Sequence, residues 1–319
     1  YKREVKDVLR IHSVYAEADF SELIRKFYLQ AGLRTNYFSK FNLFSFEPRA
    51  VLNYKLGKYF SVEALAEKKS QHTTQQIDFQ TDFLGIEKRR WVLSNNESIP
   101  LLKSRQYSLG IQYNRKNFLI SLEGYTKNVE GIITPSQGFQ NQYEYVFSSG
   151  DYNTHGMELL VNQRLHPANL WITYALAKND YYFEEFTPSI FPNNFDIRHS
   201  VSLGGNYTLK NFEFSSGFTY RSGKPYTKPA HEELNEQNEI EYEEPNSSRL
   251  KDYIRLDISS KYTFNIKKMK AELGISVWNI LNRENIYNIF YRIDQNNEIE
   301  QIIQNTLEIT PNVSLRVKF

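Results

Sequence analysis

The chain has 319 residues, no cysteine, a formal net charge of +2 and 15% aromatic residues, nearly all of them Tyr (23) and Phe (22). The near-neutral balance supplies no basic stripe for nucleic acid, and the lack of cysteine excludes disulfides and thiolate chemistry while leaving the compartment open. No run approaches the roughly 18 apolar residues of a membrane helix; a mean hydropathy of −0.59 does not exclude a barrel, whose lumen side and loops dilute the lipid-facing half.

The segment Tyr1–Asp7 reads like the tail of a loop, with no initiator Met and no signal peptide, so the start is expected to be cut rather than natural. Beyond it the chain is a series of alternating segments, each with the period of two that places one residue set on each face of a strand. The first opposes Val14, Ala16, Ala18 and Phe20 to Ser13, Tyr15, Glu17 and Asp19. In the second, Phe27, Leu29, Ala31 and Leu33 oppose Gln30, Gly32, Arg34 and Asn36. Further on, Val201, Leu203, Tyr207 and Leu209 oppose Ser202, Asn206 and Thr208, and Phe212, Phe214 and Phe218 oppose Glu213, Ser215 and Thr219. Ile254, Leu256 and Ile258 oppose Arg255, Asp257 and Ser259, and Leu273, Ile275 and Val277 oppose Glu272, Gly274 and Ser276. The last stretch alternates Val313, Leu315, Val317 and Phe319 with Asn312, Ser314, Arg316 and Lys318, and ends on an aromatic residue. About thirteen strands are predicted, at the ~10-residue length a tilted membrane strand needs. No amphipathic helix stands out.

The connections are unequal. Short ones are expected at Ser21–Arg25, Gly57–Lys58, Arg115–Asn117, His166–Asn169, Lys210–Asn211 and Asn265–Lys268. They alternate with longer ones at Phe38–Phe46, Lys68–Ser104, Val129–Tyr152, Asn179–Asp196 and Arg221–Asp252. A soluble sandwich scatters its long loops over both ends, whereas outer-membrane barrels keep short turns periplasmic and long loops extracellular. The expected fold is therefore all-β, an antiparallel up-and-down transmembrane β-barrel. An odd count conflicts with the even strand number of single-chain bacterial barrels. Residues 1–319 are thus expected to be the carboxy-terminal part of one larger barrel domain, with an unpaired edge on each side.

Four segments carry a family resemblance. Phe46-Glu-Pro-Arg is similar to an F-x-P-R strand start, and Asp196-Ile-Arg-His to a D-x-R-H strand start. Trp278-Asn-Ile-Leu-Asn-Arg is similar to an N-L-F-N-R segment before the final strand, with Ile280 and Leu281 in place of Leu and Phe, and the final strand ends on Phe. In this order they resemble the carboxy-terminal barrel of a TonB-dependent outer-membrane receptor. The loops holding Trp91, Ile99 and Pro100, and Gln137-Gly-Phe-Gln-Asn, resemble the subgroup with carboxypeptidase-like amino-terminal extensions. The resemblance implies a barrel of roughly 22 strands filled by its own plug domain. It implies residence in outer-membrane lipid and coupling to the TonB energy complex through a box at the plug's amino terminus. Neither plug nor box is in the chain, a surface lipoprotein partner is possible, and no nucleic-acid partner or cofactor is implied.

Enzyme chemistry finds little support. The six His form no H-E-x-x-H or other metal spacing. His199 beside Asp196 and Arg198 lacks a second carboxylate or nucleophile and is better read as a rim histidine. Ser222-Gly-Lys-Pro fails as a phosphate loop, since Pro225 stands in the Ser/Thr position and no helix follows. The Glu232–Glu244 stretch lacks the spacing of a dedicated Ca²⁺ site. No catalytic residue or metal ligand is expected.

Two residue sets remain. Rings in the outer loops suit a glycan or amphipathic ligand by stacking plus one hydrogen bond each, and Trp91, Tyr143, Tyr181, Tyr182 and Phe183 are the candidates. Girdle or loop–loop packing would use the same residue types. The lumen or plug-facing candidates are Arg34, Arg49, Glu63, Glu123, Glu158, Glu213, Arg255, Asp257, Glu272 and Arg316, with a static ladder of cross-strand ion pairs as the bland alternative. The expected function is active import of an extracellular ligand. Competing expectations are a passive porin or structural barrel, an outer-membrane barrel hydrolase, and a soluble glycan-binding β-protein.

Overall fold

The computed structural model describes residues 8–20, 26–78, 88–267 and 269–318. One antiparallel sheet is built from consecutive hairpins of thirteen strands. They are β1 (Ile11–Asp19), β2 (Phe27–Phe38), β3 (Leu43–Lys55), β4 (Phe60–Gln71), β5 (Leu102–Arg115), β6 (Phe118–Ile133) and β7 (Ser149–Leu165). There follow β8 (Ala168–Tyr182), β9 (His199–Leu209), β10 (Phe212–Arg221), β11 (Tyr253–Ile266), β12 (Met269–Trp278) and β13 (Thr310–Lys318). Each pairs with its neighbours in chain order, and a short fourteenth strand, Ile190–Pro192, folds back onto the end of β8. Among the described residues the only helical segment is the 3₁₀ turn Thr134–Ser136, and β1 and β13 each have one partner, leaving the sheet open at both edges.

The strand order and hairpin alternation agree with the sequence. The four described connections of the expected short set, between β3 and β4, β5 and β6, β7 and β8, and β9 and β10, are short as expected. The expected turn at Ser21–Arg25, together with Lys268, Phe319 and the segment Tyr1–Asp7, lies outside the described residues. Three connections of the long set are tighter than expected. β2 runs to Phe38 before β3 starts at Leu43, as short a gap as that between β3 and β4. Likewise β4 runs to Gln71 before β5 starts at Leu102, and β6 runs to Ile133 before β7 starts at Ser149. Polar pairs prolong the ladder beyond the apolar band, as where Asn128 Nδ2 donates to Asn153 Oδ1 at 2.9 Å. A sixth connection between Trp278 and Thr310, unmarked in the sequence reading, folds its own hairpin from Ile286–Ile293 and Ile299–Asn305.

Register separates the two faces across the whole sheet. On one, Ile172, Leu203, Phe218 and Leu256 lie side by side on four successive strands, and Ile275 lies opposite Val313. Among the described residues no second layer covers this face, and Val14 and Val313 are each 75% exposed. A continuous apolar face of this extent is far beyond the few hundred Å² that a soluble monomer leaves bare. Surrounding hydrocarbon removes that cost and satisfies the pattern.

Every lumen candidate falls on the opposite face. Arg34 opposes Glu47, Arg49 opposes Glu67, Glu63 opposes Gly110, Glu123 opposes Glu158, Glu213 opposes Lys261, and Glu272 opposes Arg316. Arg255 and Asp257 alternate on β11 and pair at 2.7 Å. Arg49 bonds Glu17, Gln30 donates to Glu17 at 2.9 Å, and Asn36 donates to Glu47 at 2.8 Å. Lys261 meets Glu213 at 2.6 Å, while Lys318 approaches Glu272 at 3.7 Å.

Candidate ligand-binding site

The long connections all lie at one end of the sheet, because consecutive antiparallel hairpins send every second connection to the same end. There they pack together instead of standing apart. Phe139 and Tyr143 come from the β6–β7 connection, Tyr181 from the end of β8, and Phe183, Phe186 and Phe191 from the β8–β9 connection. Tyr143 stacks on Phe186 with centroids 3.7 Å apart, Phe183 lies 4.8 Å from Phe186, and Phe139 meets Tyr181 edge-on at 5.4 Å. Val129 and Ile132 of β6 floor the cluster. Gly150 admits Phe183, since a Cβ there would lie 2.5 Å from the ring.

Polar bonds tie further loops to this core. Tyr181 donates to Gln137 Oε1 at 3.1 Å, and Asn194 donates to the Gln137 carbonyl at 2.8 Å. Asn141 reaches Thr227 at 3.0 Å, Asn246 donates to Asn194 at 2.8 Å, and Asn288 of the last hairpin donates to Gln140 at 2.7 Å. Four connections are thereby joined into one body.

The D-x-R-H segment is the latch between this body and the wall. The Asp196 carboxylate is fully buried and is held by Arg198 at 2.9 Å, by Arg249 of the next connection, and by the Asn179 amide at 2.8 Å. Arg249 also donates to the Asp196 and Gly223 carbonyls, at 2.7 and 3.0 Å. Gly223 is required, because a Cβ there would lie 1.7 Å from the Leu250 oxygen. His199 turns away from Asp196 and meets Tyr174 Oη through Nδ1 at 2.9 Å. Asn279, in the N-x-x-N-R segment, is buried in the same manner: it donates to the Arg283 and Leu307 carbonyls at 2.9 and 3.2 Å. These motif residues hold chain turns.

The five ring candidates divide. Tyr181, Phe183 and Tyr143 are 1%, 0% and 9% exposed, so loop packing, the alternative weighed for each, occupies them. Their burial was not readable locally, since it needs partners from a different connection. Trp91 and Tyr182 present 64% and 40% of their surface. Trp91 sits on the hairpin formed by Thr73–Asp78 and Lys88–Leu93, directly opposite Gln75. Gln75 lines a cavity of about 460 Å³ between this hairpin, the wall and the Thr134–Gln137 segment. Lys127, Gln137 and Tyr152 line it too. This is a polar recess with cationic, amide and phenolic groups, within the usual range of ligand pockets. The sequence marks Gln137 only within a family-like loop and gives no sign of Gln75, Lys127 or Tyr152 as ligand contacts, because only pairing across connections brings the four together. Among the described residues no group of His, Asp and Glu could hold a metal.

A profile of the family described as TonB dependent receptor-like, beta-barrel matches residues 6–288. The chain belongs to this TonB-dependent receptor β-barrel family. Solved structures agree in fold. The outer-membrane transporter YddB from Escherichia coli aligns with TM-score 0.66 and 10% identity over 97% of this chain and 45% of its own. For the ferric yersiniabactin uptake receptor FyuA from Yersinia pestis the values are 0.63, 13%, 97% and 45%. The ferric citrate transporter FecA gives 0.62, 14%, 94% and 44%. The chain thus spans less than half the length of these receptors. No curated protein matches. The family is one of outer-membrane receptors and transporters, which fits the bare apolar face of this receptor barrel.

Proposed function

We propose that the chain forms part of the wall of an outer-membrane importer, whose outer loops capture an extracellular ligand for TonB-energised uptake. The observation that supports this most is the packing of the long connections into one body at one end of a wall with one greasy and one polar face. A passive pore has no need of a fixed, ring-cored loop body beside a polar recess. Capture is assigned to the recess, with Lys127 and Gln75 as polar contacts and Trp91, the cross-strand neighbour of Gln75, as the reachable ring. Tyr182 shares the β8 face of Ile172 and lies outside the recess.

The polar face is the surface for the plug. Glu63, Glu123 and Glu158 stand in one cross-strand row, with Gly110 between the first two. Like charges directly opposite destabilise a sheet, and no cation is bonded to these three among the described residues. Cationic side chains of a plug would neutralise the row. In the complete receptor, Trp91→Ala with Lys127→Gln should weaken ligand binding by roughly tenfold or more, the loss of one aromatic and one polar contact. Unchanged binding and uptake at wild-type surface levels would reject the recess as the capture site.

A further inference from the structure

The short-turn end of the wall carries a feature that import does not use. Three hairpin turns place a lysine at positive φ: Lys116 (φ 53), Lys210 (φ 54) and Lys267 (φ 56). In two-residue turns such positions favour Gly or Asn, because a Cβ is disfavoured there. Asn is the very next residue at Lys116-Asn117 and Lys210-Asn211, yet lysine occupies the strained position. Lys58 lies in a fourth turn, and all four lysines are exposed.

Aromatic clusters lie just above these turns. Phe60, Tyr113 and Phe118 interlock at 4.8 and 6.2 Å, with the Arg115 guanidinium 5.1 Å from the Tyr59 ring. On the next part of the rim, Phe212 packs on Tyr262 at 4.5 Å and Phe214 at 5.9 Å. Above the Lys210 turn the apolar face is notched. Gly205 and Ser216 stand directly opposite each other on β9 and β10, and the larger Leu203, Tyr207, Phe214 and Phe218 surround them. The notch has a volume of about 770 Å³ and an almost wholly apolar lining. Lys210 follows Tyr207 by three residues, roughly 10 Å along the strand.

We propose that the short-turn rim binds anionic phospholipid, with a defined seat on the β9–β10 hairpin. One acyl chain lies in the notch over Gly205 and Ser216, the rings mark the interface, and Lys210 meets the phosphate, with Lys267 on the adjacent turn. The occupant follows from the surroundings: an apolar notch in a hydrocarbon-facing wall, closed at the headgroup level by cations. This rests on the outer-membrane reading, in which the short turns are periplasmic and face the phospholipid leaflet.

The test is native mass spectrometry of the complete receptor, purified in mild detergent and offered equal phosphatidylglycerol and phosphatidylethanolamine. Wild type should retain the anionic lipid with a preference of roughly fivefold, the effect of about one well-placed lysine. Lys210→Gln with Lys267→Gln should abolish the preference. Ser216→Phe, which fills the notch, should lower retained lipid while heat-modifiable migration stays normal. If the Ser216 variant fails to fold, the turn-lysine pair, in exposed turns, still decides. Equal retention of the two lipids by wild type, or a preference that survives both variants, overturns the proposal. So does a detergent-stable dimer that Ser216→Phe dissolves, which would make the notch a contact between copies. Release of the receptor into buffer without detergent would instead reject the membrane reading beneath it.

Discussion

Asp196 shows how a family-like motif residue acts through position. Its carboxylate is buried and joins β8 and two connections through Arg198, Arg249 and the Asn179 amide. Removing a buried carboxylate leaves its cations uncompensated; with both arginines about one-third exposed, water recovers part of the loss. Asp196→Ala should cost about 2–3 kcal/mol locally, below the value for a fully buried pair. The expected result is faster protease nicking in 183–198 and 222–252 with the wall still heat-modifiable; nicking at the wild-type rate would remove the latch role. The sequence marked Asp196 as a strand start near His199, but the residue that shares its carboxylate, Arg249, comes from another connection.

At the scale of the strand, the period of two decides which substitutions are tolerated. Leu109 on β5 lies on the apolar face, opposite Ala64 and Gly124, while Ser108 lies on the polar face, opposite Leu65 and Tyr125. Leu109→Arg should therefore cost about 2–4 kcal/mol near the bilayer midplane, and Ser108→Arg far less. Urea midpoints of the receptor folded into vesicles would measure both. Equal effects, or greater solubility of Leu109→Arg without loss of fold, would contradict a lipid-facing wall. Strand order and facing were legible because alternation is local. Strand ends were less so, since the polar ladders that prolong β4 and β6 show no apolar alternation to mark where pairing stops.

For the whole molecule, the joined outer loops should respond to pH through Glu144. Burial raises its carboxyl above the ordinary value, only partly offset by a hydrogen bond from Tyr145. The closed loop thus binds the proton more tightly than an opened one. Its packing contribution is full below the ordinary carboxylate pKa and is lost as pH rises through the raised one. Amide exchange in 139–145, corrected for its intrinsic rate, should be slower at acidic than at neutral pH, and Glu144→Gln should flatten the difference. A flat wild-type profile would show that Glu144 does not report on loop closure.

The amino-acid sequence by itself determined the hairpin order, the two faces of the wall and the inequality of its ends. Each of these needs only the two-residue repeat of an extended chain and the turn residues between segments. It could not say which loop rings are reachable, because Tyr143, Tyr181 and Phe183 are buried by partners from other connections. Nor could it find the 148-residue span bridged by Asn288 and Gln140. Those outcomes belong to the tertiary structure, for burial depends on surfaces that meet only after the strands have set the loops side by side.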